Sequence, residues 1–392
     1  MASSASKQPL MPILYSGATS APPPTPSAHS NNNLCPAPDA ADAFSRLLLH
    51  RLPPPTLSLP TRCSSSPATS PPVISLSADQ TPTNDLLSFV SDLGFFQLTH
   101  HSVPPELASS AESESLALFD LPRDQKESLL PKNWPLGYEC GGGDDDDDDE
   151  AGGQGESFRL DGSCSTESTE LSLASLREFT RALEKLGLEI IDLLSKAMDF
   201  ENPVRDDPTR FCSMMWISEC ERSTKPVVSG GFYPFIVGLQ YQIRSQKHSL
   251  LSDSGWVSVL PDVDSILVTI GDIAQVWSNG KLKKVRGRAV GEMGGEVSSG
   301  SRSISMTVLV SLPTESRVAP ILPRPAAVGH EHEQDKGNDD EVEKRAVFQS
   351  FDFEDYAWRV YHERLLFKDP LERYRITSTL STSQGTGIDR LF

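Results

Sequence analysis

No apolar run in the chain approaches the roughly eighteen residues that a membrane-spanning helix needs, so nothing in it reads as a bilayer span. Basic residues are scarce: 35 Lys and Arg stand against 54 Asp and Glu, for a formal charge of −19. A field of that sign repels phosphate backbones and anionic headgroups, which excludes nucleic acid and membrane surfaces as partners. Cysteine is sparse and scattered. The six, at Cys35, Cys63, Cys140, Cys164, Cys212 and Cys220, form no C-x-x-C pair and no framework of the kind that staples small secreted domains. They suit free thiols in a reducing compartment. Histidine is sparse too, and none of the eight has an Asp or Glu two positions on.

What is present is enough for a core: 37% of the 392 residues are hydrophobic. Residues 1–70, rich in Ser, Pro, Ala and Asn, bury too little apolar surface to offset the entropy of ordering and are expected to be a disordered tail. Their lack of acid before Asp39 would suit a plastid transit peptide, but the proline runs at Pro22–Pro24 and Pro53–Pro55 favour a cytoplasmic tail. Residues 136–168 hold a Gly/Asp-rich loop in which Asp144–Asp149 repel one another, and 321–345 form a second acidic insertion beginning its charged run at His330.

Hydrophobic periodicity organises the rest. In residues 71–135, Pro72–Leu76 reads as a strand, Asp85–Leu93 as a helix stopped by Gly94, Phe95–His100 as a strand and Leu107–Phe119 as a helix, a β-α-β-α unit. Residues 169–320 open with an amphipathic helix over 171–198, whose stripe is Leu173, Leu176, Phe179, Leu183, Leu186, Ile190, Leu193 and Leu194. Short β runs follow at 211–217, 235–243, 256–260, 265–270, 283–290 and 304–312, the pattern of a sandwich or jelly roll. A C-terminal helical segment over 346–392, centred on Phe351–Phe367, is expected to dock on that barrel.

Several strings carry a resemblance. Gly94-Phe-Phe-Gln-Leu with His101-Ser-Val-Pro104, then Phe119-x-Leu-Pro122 and Lys126, are followed by Gly238-Leu-Gln240, Trp256-Val-x-Val-x-Pro261 and Ile270-Gly-Asp-x-x-x-x-x-Ser-Asn-Gly280. In this order they resemble the plant 2-oxoglutarate and Fe(II)-dependent dioxygenases, the family of gibberellin oxidases and aminocyclopropane carboxylate oxidase. The resemblance covers roughly residues 72–313. It implies an α+β, mainly β fold: a double-stranded β-helix (jelly-roll) barrel with an N-terminal α/β region and supporting helices.

It also implies a His-x-Asp pair and a second His holding ferrous iron, two imidazoles and a carboxylate on one octahedral face. This sequence has no such pair, and Gly231-Phe-Tyr-Pro-Phe-Ile-Val stands where it belongs. In Lys283-Lys-Val-Arg-Gly-Arg-Ala-Val, Gly287 stands at the second His position. The Arg-x-Ser motif that grips 2-oxoglutarate maps near Arg302 and Ser305, but the spacing slips by one. Residues two apart share a strand face, so only a β-bulge would bring these two together. The family's Asn-x-Tyr string is replaced by Cys212-Ser-Met214.

Other candidates read as structural. His248, in Gln246-Lys-His-Ser-Leu, is expected in a hydrophilic surface loop, and His100 and His101 in a turn. If Gly287 points into the barrel with Val285 and Ala289, then Lys284, Arg286 and Arg288 point outward as a solvated face, and Asp272 is a turn residue. The reading is therefore a dioxygenase-like protein with a degenerate iron site, no catalytic residues and no bound cofactor, which binds a small molecule or a protein. The alternative is an active oxidoreductase that uses iron and 2-oxoglutarate through non-standard ligands, on a small hydrophobic plant metabolite. In a third reading, the acidic insertions recruit a protein partner.

Overall fold

The computed structural model describes residues 68–76, 83–140, 156–166, 172–205, 207–219, 232–252, 255–290, 303–323, 347–362 and 369–376. In chain order the strands are β1 (Val73–Ser75), β2 (Phe95–Thr99), β3 (Gly137–Glu139), β4 (Ser157–Asp161), β5 (Cys212–Glu219), β6 (Val237–Tyr241), β7 (Lys247–Ser252), β8 (Gly255–Val259), β9 (Ile266–Ile270), β10 (Val285–Val290), β11 (Ile304–Ser311), β12 (Arg317–Val318) and β13 (Phe351–Asp352). The helices are α1 (Thr83–Asp92), α2 (Pro105–Phe119), α3 (Arg123–Leu129), α4 (Ala174–Met198), α5 (Asp272–Trp277) and α6 (Phe353–His362).

An eight-stranded sheet runs β1-β2-β9-β6-β11-β5-β4-β3, and a three-stranded sheet runs β10-β7-β8. Alternation decides what each face of the large sheet covers. The long helix α4 lies so close to one face that a side chain begun at Gly187 would meet Val310, Leu239 and Val237. Those residues, with Val308 two along from Val310, Val268 opposite Leu239 and Ile266 two along from Val268, therefore face the helices and form the main core. The other face turns toward the small sheet: Phe95 and Leu267 from the large sheet share a second cluster with Leu250, Val259 and Val285 from the small one. This is sheet on sheet with helices outside, the mainly-β α+β arrangement expected of a jelly roll.

The strings that carry the resemblance have local causes. A Cβ at Gly94 (φ +81°) would lie 2.5 Å from the carbonyl oxygen of Lys283, so only glycine lets β2 pass that loop. Buried Gln97 donates to Asp262 Oδ2 at 2.9 Å and accepts from the Asp262 N–H at 2.9 Å, clamping the turn before β9. At Gly271 a Cβ would fall 1.9 Å from the Phe235 carbonyl oxygen, which fixes the start of α5 against β6. Asn279 then accepts from the Val347 N–H at 2.8 Å and pins the C-terminal segment.

Three expectations need correction. The solvated outer face expected on β10 does not hold for Lys284 and Arg286. Lys284 and Arg286 do point away from the Val285 side, but both are buried under the C-terminal segment. The hydrophilic loop around His248 is strand β7, and His248 is only 1% exposed. The stretch read as one loop over 136–168 carries β3 and β4, which extend one end of the large sheet beyond β5. The acidic run Asp144–Asp149, Arg302 and nearly all of the N-terminal tail lie outside the described residues.

Candidate functional site

The registers align one row of residues across the inner face of the large sheet: Arg159 lies opposite Trp216, Trp216 opposite Thr307, Thr307 opposite Gln240, and Gln240 opposite Leu267. A second row, two residues along each strand, places Ser157 opposite Ser218 and Ser218 opposite Ser305. Ser305 thus faces the interior, as an anion-binding hydroxyl would, but its sequence-predicted partner Arg302 is not among the described residues.

The positive charge on this face belongs to Arg159. Its side chain is fully buried, stacked 4.5 Å from the Tyr361 ring and 5.6 Å from the Trp216 ring. Its Nη2 lies 3.1 Å from Glu139 Oε2. Tyr361 donates a hydrogen bond to the same carboxylate oxygen, so helix α6 closes over strands β3 and β4 here. Burial pulls the Arg159 pKa below the usual guanidinium range, and Glu139 acts against that pull. Tyr233, which precedes β6, lies in the field of Arg159 and packs edge-on against Trp134 and Phe353. Burial raises its phenol pKa, so the oxygen is protonated at neutral pH and is no anionic donor.

A second charged cluster ties the C-terminal segment down. Asp272 Oδ1 accepts from Arg286 Nη2 at 2.7 Å and from the Tyr356 hydroxyl at 2.9 Å, and lies 3.1 Å from Lys284 Nζ. Lys284 also bonds Asp369. Burial pushes the Asp272 carboxyl up, but Arg286 and Lys284 outweigh it and hold the pKa down to about 2. Asp272, which sequence reading left as a turn residue, is thus the anionic centre of a buried network.

Three of the described histidines make structural contacts. His248 Nε2 lies 3.0 Å from Gln242 Oε1, and burial lowers its pKa to about 4. His101 Nε2 lies 2.9 Å from the Asp264 carbonyl oxygen, and His100 Nδ1 lies 3.0 Å from Ser75 Oγ.

Comparison with known proteins decides the family. Residues 71–172 match the family model for the N-terminal part of the non-haem dioxygenases ("non-haem dioxygenase in morphine synthesis N-terminal"), and residues 232–311 match that of the 2OG-Fe(II) oxygenase superfamily. The chain belongs to the 2-oxoglutarate and Fe(II)-dependent oxygenases. Among curated relatives, a gibberellin 2-beta-dioxygenase of Pisum sativum is 26% identical over 275 residues, 64% of this chain and 79% of that one. One from Arabidopsis thaliana is 26% identical over 323 residues, 75% and 89% of the two chains. Solved structures show the same fold. JOX2 in complex with 2OG, Fe and JA superposes with a TM-score of 0.58 at 18% identity, over 85% of this chain and 97% of that one. The dioxygenase for auxin oxidation of rice gives 0.52 at 20% identity, over 76% and 99%.

The positions that the family resemblance assigns to metal ligands lie as follows. Of the stretch 231–237, read in the sequence at the place of the His-x-Asp pair, Gly231 is outside the described residues, and 232–237 hold no His, Asp or Glu. At Gly287 a Cβ would lie 2.5 Å from Leu250 Cδ2, and Leu250 is locked in the cluster with Phe95, Val259, Leu267 and Val285. Among the described residues, no three His, Cys, Asp or Glu side chains converge as a metal site. Nor is any helix among them long and apolar enough to cross a membrane.

Arg159, Trp216 and Tyr361 were not singled out from sequence. In Ser157-Phe-Arg-Leu-Asp161 only the alternation signals that Arg159 shares a face with Ser157 and Asp161, and nothing local names Tyr361 or Glu139 as its neighbours.

Proposed function

We propose that this chain is a non-catalytic member of its superfamily, with a degenerate iron site and a jelly-roll barrel that serves as a binding module. The observation that carries this reading is the state of the ligand positions. The stretch read in place of the His-x-Asp pair offers no imidazole or carboxylate among its described residues, and at Gly287 a leucine methyl fills the space where a second imidazole would begin. These residues do not fit an octahedral ferrous ion, which asks for two imidazoles and a carboxylate on one face. The occupant we favour is a small organic molecule, because relatives are named for gibberellin and neighbouring structures are titled for JA and for auxin oxidation.

The second reading, an active oxidoreductase through other ligands, draws on the family alone, whose solved members hold iron and 2-oxoglutarate. It needs His248 or carboxylates beside Gly287, and His248 is instead engaged with Gln242. The test is turnover: purified protein given Fe(II), 2-oxoglutarate and oxygen, with and without a gibberellin, should form no succinate above a protein-free control. Succinate that scales with protein concentration and disappears with chelator would establish the oxidoreductase reading instead.

A further inference from the structure

Resting on the non-catalytic reading, we propose that Arg159 anchors the carboxylate of a small apolar acid inside the barrel, the guanidinium supplying the positive charge that a metal would otherwise bring to this face.

The first argument is an unfilled demand. A buried guanidinium normally has its five N–H groups paired, because leaving donors dry costs the desolvation that burial imposed. Arg159 is fully buried, yet Nε, Nη1 and Nη2 make no hydrogen bond. The contact of Nη2 with Glu139 brings the charges together without hydrogen-bond geometry. The same barrel shows what a better-served arginine looks like: Arg286 Nη2 donates to both Asp272 and Tyr356, at 2.7 and 3.2 Å.

The second argument is charge. Around Glu139 stand two cations, Arg159 and the half-exposed Lys132, whose Nζ lies 3.5 Å from Glu139 Oε1. One carboxylate against two cations leaves one positive charge over, and a ligand anion would neutralise it.

The third is shape. The guanidinium carbon lies over the Tyr361 ring at 4.5 Å and over the Trp216 ring at 5.6 Å, so aromatic surface occupies those sides and an acceptor would come to the N–H groups left unpaired. A planar carboxylate approaches those groups and takes parallel hydrogen bonds. The neighbours there are aromatic: Trp216 is partly exposed, and Tyr233 packs with Trp134 and Phe353. They suit an apolar body better than a second charge.

Full-length protein kept in chelator should be titrated by calorimetry with naphthaleneacetic, phenylpropanoic and cyclohexaneacetic acids, each against its neutral primary amide, and with succinate. At least one acid should bind about tenfold or more tightly than its amide, as loss of a charge-assisted hydrogen bond implies, and more tightly than succinate. Arg159→Gln should abolish the preference. Because that residue is buried, Arg159→Lys is the second variant: it keeps the charge, loses the planar fork and should retain part of the preference. The wild-type acid–amide comparison requires no variant at all. Equal affinity for acid and amide in every pair, or no binding by any acid, overturns the assignment. Repeating the titration with added Fe(II) separates the two claims. Selectivity that arises only with iron would contradict the non-catalytic reading, whereas absent selectivity in a protein that binds no iron removes the Arg159 site alone.

Discussion

His248 and Asp272 are buried groups that respond to acid in the same direction for opposite reasons. Burial depresses the His248 pKa from 6.5 to about 4, so the folded state prefers the neutral ring. The stability it contributes is complete above pH 6.5 and is lost as pH falls toward 4, to the extent of about 3 kcal/mol. Asp272 is held near 2 against an ordinary 3.8, so its contribution is present above pH 4 and disappears as pH falls toward 2. Urea unfolding followed from pH 7 to pH 4 should show stability declining across the first interval, and His248→Leu should flatten that decline. An unchanged slope in the variant would remove His248 as its source. At this scale the sequence was half legible. Gly94 and Gly271 could be read because motifs hold them and the structure shows why, while Asp272, Lys284 and Arg286 could not, since their burial depends on a segment that returns from residues 347–376.

At the scale of elements, the Asp272 network is what fastens α6 and the Pro370–Tyr374 turn to the barrel, through Tyr356 and Asp369. Removing one member of a buried charged set leaves the others unpaired, so Asp272→Ala should cost about 3 to 5 kcal/mol in a urea titration, while Tyr356→Phe, which loses only a hydroxyl, should cost about 1. Strand β10 gives a complementary test. Gly287→His would drive its Cβ into Leu250, and overpacking a filled cluster should cost about 1 to 3 kcal/mol without creating metal affinity. Iron bound tightly by that single variant would mean the remaining ligands are already in place.

Periodicity served the elements well where one face was apolar: the stripe of α4 and the strands β5, β6, β8, β9, β10 and β11 stand where alternation put them, to within a few residues. It failed at β7 and β4, whose polar inward residues, His248 and Arg159, break the alternation that marks a strand. Both sit in the interior, where a sequence gives no hint of which partner will satisfy a polar group.

For the whole molecule, the proposed reading is a barrel with the family's scaffold but without its metal ligands, in which a leucine methyl crowds Gly287 and a buried guanidinium lies on the inner face. A protein whose fold owes nothing to metal should show the same thermal midpoint in chelator as in added Fe(II) with 2-oxoglutarate, because a ligand raises stability only by binding the native state. A rise of several degrees would mean that the pair binds. The most direct measurement is the metal content of protein purified without oxygen and then dialysed against Fe(II). The account predicts iron far below one equivalent per chain, and one tightly held iron per chain would contradict it.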